Sequence, residues 1–237
     1  MSNEYFQFKQ FTVVQERGAM KVTTDACIQG AWTTVLPGTK YVLDIGAGTG
    51  LLSLMLAQRY TNIITDAIEI DADAAQEARD NVVASPWKDR INILEGDVRN
   101  YAFQRKYDLI ISNPPFFNNS LLGNEAGKNT ARHTVSLSYA ELLKVMEENL
   151  EDDGRVSIML PTTEYIRWKS LAVTRKWFES GSLSVRHRAH APAKRVVGIF
   201  CKREISIAKP DELIILEEGN NYSQDFIDLL SPFYLNL

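Results

Sequence analysis

Apolar and polar positions form blocks that predict strands alternating with helices through the middle of the chain. The apolar runs predicted as strands are 41–45, 63–70, 91–94, 107–112 and 155–160. Segments with helical periodicity follow at 51–59, 72–84, 139–150 and 162–178. The run at 107–112 is almost wholly apolar, as expected for a strand buried on both faces. This alternation predicts a mostly parallel sheet with helices on both faces.

Two more apolar runs, 183–190 and 195–202, have no helix between them. We therefore expect them to form an antiparallel hairpin at one edge of the sheet. The predicted fold class is α/β and Rossmann-like, with a seven-stranded, mostly parallel sheet, an antiparallel C-terminal hairpin and helices on both faces.

The length suits a single domain over residues 1–237 with a core at 40–203. Aromatic and polar residues alternate near the start, so residues 1–39 are expected to form an N-terminal cap. Residues 204–237 are acidic and form a C-terminal appendage. We expect one strand at 212–216 and a short helix at 223–230 in this appendage.

Composition and cysteine use narrow the class of protein. Hydrophobic residues make up 45% of the chain and charged residues 24%, which are ordinary values for a globular protein. No apolar run reaches the ~20 residues of a membrane span, and the N-terminus lacks the features of a signal peptide. Cys27, Cys201 and the three histidines show no metal-ligand spacing. We expect a cytoplasmic protein without a metal, a membrane span or a disulfide framework.

The first strand of the core ends in a glycine-rich turn. Asp44 is followed by Gly46, Gly48 and Gly50, and the first helical segment begins at Leu51. Glycine allows a sharp turn and lets a ligand approach the backbone without meeting a Cβ. The dinucleotide-binding pattern reads G-x-G-x-x-G, whereas this turn reads D-x-G-x-G-x-G. It resembles motif I of the S-adenosylmethionine-dependent methyltransferases, and the resemblance implies S-adenosyl-L-methionine as cofactor.

Acidic residues stand at the ends of the neighbouring strands, where ligands bind in open α/β sheets. Glu69 ends the second strand, where its carboxylate can accept hydrogen bonds from both hydroxyls of a ribose. Asp97 follows the third strand and is expected to meet the exocyclic amine of an adenine. Asp44 is expected to hold the glycine turn or the methionine amino group.

A second motif, Asn113-Pro114-Pro115-Phe116, follows the fourth strand directly. It looks like the N/D-P-P-Y/F motif of methyltransferases that modify a planar nitrogen, which is adenine N6, guanine N2 or a glutamine amide. The lone pair of such a nitrogen is delocalised, so acceptors aimed at its hydrogens favour charge on nitrogen as the methyl group arrives. The Asn113 side-chain oxygen and the Pro114 carbonyl can supply two acceptors.

The other residues of this region are expected to support that chemistry. Pro114 and Pro115 stiffen the turn, and Phe116, helped by Phe117, offers a ring on which a target base can stack. His133 and Arg132 are candidates for the substrate side of the site, although a solvated loop histidine is the alternative. Neither cysteine follows a proline, so the cysteine chemistry of pyrimidine-carbon methylation is excluded.

Positive charge is concentrated near the C-terminal end of the core. Residues 161–203 contain ten Lys and Arg residues against two acids, although the chain as a whole carries −4. Such a concentration suits a phosphate backbone. The residues that we expect to bind RNA here are Arg186, Arg188, Lys194 and Arg195. The alternative is a solvated helix face and hairpin, with Trp168 and Trp177 in the core.

Several segments together resemble the bacterial tRNA1(Val) (adenine-N6)-methyltransferase family nearly from end to end. They are 8–12, 20–25, 113–117, 131–133 and 232–235. The resemblance implies that the target is the adenine at position 37, just 3′ of the anticodon, and that Lys21, Thr24 and Asp25 lie near the cofactor. Thr23 stands where the family usually has glycine.

The sequence therefore predicts a monomeric, cytoplasmic enzyme that methylates adenine N6 in tRNA. Three alternatives remain open at this level. They are N2-methylation of guanine in ribosomal RNA, N5-methylation of a release-factor glutamine, and an RNA-binding module or chaperone without catalysis.

Overall fold

The structure is a computed structural model that describes residues 4–17, 21–115, 137–204 and 209–237. The strands are β1 (Tyr5–Gln7), β2 (Thr12–Val14), β3 (Tyr41–Ile45), β4 (Ile64–Glu69), β5 (Ile91–Glu95), β6 (Tyr107–Ser112), β7 (Leu150–Pro161), β8 (Phe178–Arg186), β9 (Arg195–Cys201) and β10 (Asp211–Ile214). The helices are α1 (Thr24–Trp32), α2 (Leu51–Arg59), α3 (Ala72–Val83), α4 (Tyr139–Asn149), α5 (Thr162–Thr174) and α6 (Gln224–Leu230).

Within the described ranges, eight strands form the main sheet in the order β10-β8-β9-β7-β6-β3-β4-β5. Only β9 runs against its neighbours, pairing antiparallel with both β7 and β8. The other pairings are parallel. The carboxyl ends of β3 to β8 and β10 therefore share one edge of the sheet, which we call the carboxyl edge, and the loop that joins β8 to β9 lies on this edge as well.

The predicted α/β fold is confirmed, and the expected hairpin is the pair β8–β9. The hairpin does not provide the outermost strand on its side of the sheet, because β10 from the C-terminal appendage pairs in parallel with β8. The sheet consequently has eight strands instead of the seven predicted. The appended strand begins at Asp211 and ends at Ile214, close to the predicted position.

The helix predicted at 162–178 ends four residues early, at Thr174. Lys176 adopts a left-handed backbone conformation with φ of 60°, which stops the helix and turns the chain into β8. Trp177 is then buried and Phe178 begins the strand. Because these two aromatic residues continue the apolar pattern of the helix, the sequence predicts the end of the helix too late.

The ends of the chain pack together over α1. The β1–β2 hairpin carries Phe8 and Phe11, whose rings stack with centroids 4.4 Å apart. Phe8 also forms a bridge with Tyr234 near the C-terminus. The N-terminal cap is therefore fixed to the core through aromatic contacts. No helix in the described part of the chain is long and apolar enough to span a bilayer.

Candidate active site

A cleft of about 280 Å³ opens at the carboxyl edge of β3 to β6, on the scale of a small-molecule site. The predicted site residues that line it are Gly46, Gly48, Glu69, Asp97, Asn113, Pro114 and Pro115. Four turns that are separate in sequence thus meet in one cleft, as the strand order requires. Leu137, just before α4, also lines it.

The glycine turn leaves space on the cleft side. Gly46 and Gly48 have φ values of 77° and 53°, and a Cβ at either position would have no heavy atom within 4 Å. Gly50 differs, because it is the N-cap of α2 and its Cβ would contact Ala78 at 3.6 Å. Gly46 and Gly48 therefore leave room for a ligand, whereas Gly50 shapes the start of the helix.

Asp44 lies beneath the turn and is fully buried. Its Oδ2 accepts a hydrogen bond of 2.7 Å from the Ser53 hydroxyl in the first turn of α2. Burial raises the pKa of the carboxyl from 3.8 to about 6. Asp44 thus holds the glycine turn to α2, which is one of the two roles expected of it.

The raised pKa of Asp44 predicts a pH-dependent cost to stability. The unfolded chain releases this proton near pH 4 and the folded chain near pH 6, so folding loses free energy as pH rises between them. At pH 7 the loss is about 3 kcal/mol. Urea unfolding should therefore show Asp44→Asn more stable than the wild type at pH 7 and similar to it below pH 4. A difference that does not change with pH would contradict this account.

Glu69 also lines the cleft, and its carboxylate is already engaged by backbone N–H groups. Its Oε2 accepts a hydrogen bond from Gly48 at 2.9 Å, and its Oε1 accepts from Ile70 and Asp71 at 2.9 and 3.0 Å. A carboxylate has about four acceptor sites, so one remains. Pairing with both hydroxyls of a ribose, as predicted from the sequence, would require one of these three bonds to be released.

Asp97 is held by Arg99, a residue that the sequence analysis did not identify. The Arg99 Nε lies 2.9 and 3.0 Å from the two carboxylate oxygens, and its Nη2 donates to Oδ2 at 2.5 Å. The Arg99 side chain lowers the pKa of Asp97, so the carboxylate stays ionised at neutral pH.

Asn113 lines the cleft and carries a side-chain acceptor that no described residue uses. Its Oδ1 is buried, and no hydrogen-bond donor in the described part of the chain reaches it. The preceding residue is fixed on two sides, because the Ser112 hydroxyl donates to the Ile45 carbonyl at 2.8 Å and the Ser112 carbonyl accepts from Gln29 at 3.0 Å. Leaving a buried acceptor unpaired costs about 1–3 kcal/mol, which is typical of a group reserved for a ligand.

Not every predicted site residue lines the cleft. Phe116, Phe117, Arg132 and His133 lie outside the described residues. The three residues placed near the cofactor by resemblance, Lys21, Thr24 and Asp25, are on or just before the first turn of α1 and are not among the residues that line the cleft.

Asp25 is joined instead to one of the predicted RNA-binding residues. Its Oδ2 lies 2.8 Å from Nε of Arg195 at the start of β9. Because β9 begins at the carboxyl edge, this ion pair stands on the same edge of the sheet as the cleft.

The basic residues of 161–203 do not form one continuous face. Six are ion-paired, namely Arg167 with Glu164, Lys169 with Glu179, Arg175 with Glu147, Arg186 with Glu212, Arg195 with Asp25 and Arg203 with Asp153. Some of the ten lie in the β8–β9 loop at the carboxyl edge. Others flank the start of β8 and the end of β9, at the opposite edge. Trp168 and Trp177 are buried, as the alternative interpretation expected.

Arg186 and Arg188 contact the C-terminal appendage. Arg186 pairs with Glu212 of β10 at 2.5 Å, and Arg188 donates to the Glu217 carbonyl at 3.1 Å and to the Asn220 side chain. Lys194 is exposed in the same loop. Among the predicted RNA-binding residues of this loop, Lys194 presents its charge to solvent most directly.

The fold and the cleft define a methyltransferase, and comparisons with known proteins agree. The sequence model of the methyltransferase small domain matches residues 31–160. A predicted O-methyltransferase from Agrobacterium tumefaciens superposes with a TM-score of 0.66 at 17% identity, covering 88% of this chain and 96% of that one, which supports the fold alone.

The chain belongs to the tRNA1(Val) (adenine(37)-N6)-methyltransferase family. A relative of that name from Dyadobacter fermentans is 42% identical over 236 residues, which is 98% of each chain. Another from Bacteroides fragilis is 40% identical over 242 residues, with both chains covered completely. The family resemblance seen in the sequence motifs is thus confirmed.

Proposed function

We propose that this chain transfers a methyl group from S-adenosylmethionine to N6 of adenine 37 in tRNA1(Val). The observation that carries the proposal is the buried Oδ1 of Asn113, which has no hydrogen-bond partner among the described residues and lies in the same cleft as the open glycine turn. An amine acceptor beside a nucleoside-sized cleft is what methylation of an exocyclic nitrogen requires. The names of the relatives support adenine N6 and position 37.

The residues present fit the cofactor. Gly46 and Gly48 leave the space that a bound ligand would fill, and Glu69 and Asp97 stand on the cleft wall as acceptors for ribose and adenine. When bound, S-adenosylmethionine supplies a methyl group activated by a positively charged sulfur. The chain's own part is to hold the two reactants in contact.

The target amine is held by acceptors that do not need to reorganise. Asn113 Oδ1 accepts one hydrogen of the amine and the Pro114 carbonyl accepts the other. Two hydrogen bonds of Ser112 fix the backbone that carries both acceptors. Gln29 donates to the Ser112 carbonyl, and the Ser112 hydroxyl donates to the Ile45 carbonyl. As the amine nitrogen gains positive charge, these hydrogen bonds strengthen, which lowers the barrier to transfer.

Two other enzyme classes use the same kind of motif and make distinct products. Guanine-N2 methylation would label ribosomal RNA, and glutamine-N5 methylation would label a protein release factor. A binding module without catalysis would have no need of an unpaired amine acceptor, so Asn113 weighs against that class. We further propose that the enzyme is a cytoplasmic monomer with one domain over 1–237.

The decisive experiment is transfer of labelled methyl groups into cell extract, followed by separation of tRNA, ribosomal RNA and protein. We expect label in tRNA, recovered as N6-methyladenosine after digestion. Label in ribosomal RNA or in protein would replace the proposal with one of the two alternatives. No label in any fraction would favour the non-catalytic class.

The carboxyl edge also predicts where RNA binds. Lys194 is exposed in the β8–β9 loop on that edge, whereas Lys176 is exposed before β8 at the opposite edge. Lys194→Gln should weaken tRNA binding and reduce the slope of log K against log salt by about 1, because one fewer counterion is released. The matched variant Lys176→Gln should leave both quantities unchanged. Equal effects of the two variants would assign binding to overall charge alone.

A further inference from the structure

Arg99 joins the two sides of the cleft without lining it. Toward the loop after β5, its side chain binds both oxygens of Asp97. In the other direction, its Nη1 lies 3.5 Å from Oε1 of Glu141 in the first turn of α4. Arg99 and Asp97 are each about one-quarter exposed, so the contact is partly shielded from water.

The contact with Glu141 extends to another cleft residue. Glu141 closes the N-terminal cap of α4, since its Oε2 accepts from the Ser138 backbone and hydroxyl at 2.8 and 2.6 Å. Leu137, the residue before Ser138, lines the cleft. Arg99 therefore connects Asp97 on one wall to the turn that places Leu137 on another.

The geometry at Asp97 also restricts what the carboxylate can still accept. The backbone N–H of Arg99 donates to Oδ1 at 2.9 Å, in addition to the side-chain bonds. Three N–H groups of Arg99 thus make four contacts with the two carboxylate oxygens, because the Nε–H is shared between Oδ1 and Oδ2. These contacts hold the carboxylate in one orientation at the cleft that it lines.

We propose that Arg99 is a positioning residue that makes the cleft selective for a purine bearing an exocyclic amine, by holding the Asp97 carboxylate in one orientation. The inference rests on the proposed function, because it takes the ligand to be an adenosine cofactor.

The test is calorimetric binding of S-adenosylhomocysteine and of its inosine analogue, without RNA. The analogue carries a carbonyl in place of the exocyclic amine, so its 6-position accepts hydrogen bonds and can no longer donate one to Asp97. A hydrogen bond to a charged acceptor is worth about 1.5–3 kcal/mol, so the wild type should prefer the adenine compound by roughly tenfold or more. Arg99→Met should bring this preference to within about threefold.

Two further variants separate selectivity from general damage. Arg99→Lys keeps the charge but not the planar fork and should show an intermediate preference. Arg79→Met removes a different surface arginine, ion-paired with Glu95 at 3.1 Å, and should keep the wild-type preference. Circular dichroism of each variant establishes that the fold is intact.

The possible results have distinct meanings. An unchanged preference of Arg99→Met for the adenine compound would overturn the inference, because Arg99 would then have no effect on recognition of the amine. A larger preference would overturn it too, because Arg99 would then compete with the amine for Asp97. Failure of the wild type to bind either compound would instead overturn the proposed function. Loss of preference in Arg99→Met but not in Arg79→Met is the result that supports the positioning role.

Discussion

Replacing Asn113 by alanine should lower the rate of methyl transfer by roughly a hundredfold or more. The variant loses one preorganised hydrogen bond to the target amine, and such a bond is worth about 3 kcal/mol in the transition state. Folding should not suffer, because the Asn113 Oδ1 has no donor among the described residues of the folded chain. Cofactor and tRNA affinities should stay close to those of the wild type.

Single-turnover transfer to unmodified tRNA measures this effect on the chemical step. Asn113→Asp is the matched variant, because it keeps an oxygen acceptor and replaces the amide NH₂ with a second, ionisable oxygen. We expect Asn113→Asp to retain more activity than Asn113→Ala. Full activity in Asn113→Ala would refute the mechanism, since no acceptor would then be needed at that position.

Replacing Gly48 by valine should weaken cofactor binding by a hundredfold or more. At φ of 53° a β-branched residue is strained, and its side chain would enter the space that the turn leaves open on the cleft. Binding to the wild type is expected in the micromolar range, about −8 kcal/mol. Calorimetry with S-adenosylhomocysteine measures the change.

Gly38 provides a control for strain without obstruction. Gly38 also has a positive φ, 90°, and a Cβ at this position would have no heavy atom within 4 Å. It lies before β3 and is not among the residues that line the cleft. Gly38→Val should lose stability to a similar degree and keep its affinity for the cofactor. If both variants lost affinity equally, strain and not obstruction would be the cause.

The features that the sequence predicted well are local. The bounds of β3 and β6 are predicted to the residue, because each is a mostly apolar run followed directly by Gly46 or Asn113. Gly48, Glu69, Asp97 and Asn113 meet in one cleft because parallel strands bring their carboxyl ends to one edge. Sequence order alone therefore located most of the candidate site.

The features that were missed depend on contacts between distant residues. Gln29 supports Ser112 from 83 positions away, and its only local signal is a polar residue within an apolar helix. Arg186 is predicted from its charge to bind RNA, and the ion pair that it forms with Glu212, 26 positions further on, has no signal in the local sequence. Charge density along a chain does not reveal which charges are already paired. Arg99 has a local signal, because it stands two positions after the cleft residue Asp97. That spacing between an aspartate and an arginine is too common to identify a functional residue.

Methyl transfer to a single adenine nitrogen can be measured by product analysis on a defined tRNA. Unmodified tRNA1(Val) and a matched transcript with guanine at position 37 would each be incubated with enzyme and labelled S-adenosylmethionine, then digested to nucleosides. We expect N6-methyladenosine from the first transcript and no label in the second. N2-methylguanosine from either transcript, or equal labelling of both, would contradict it.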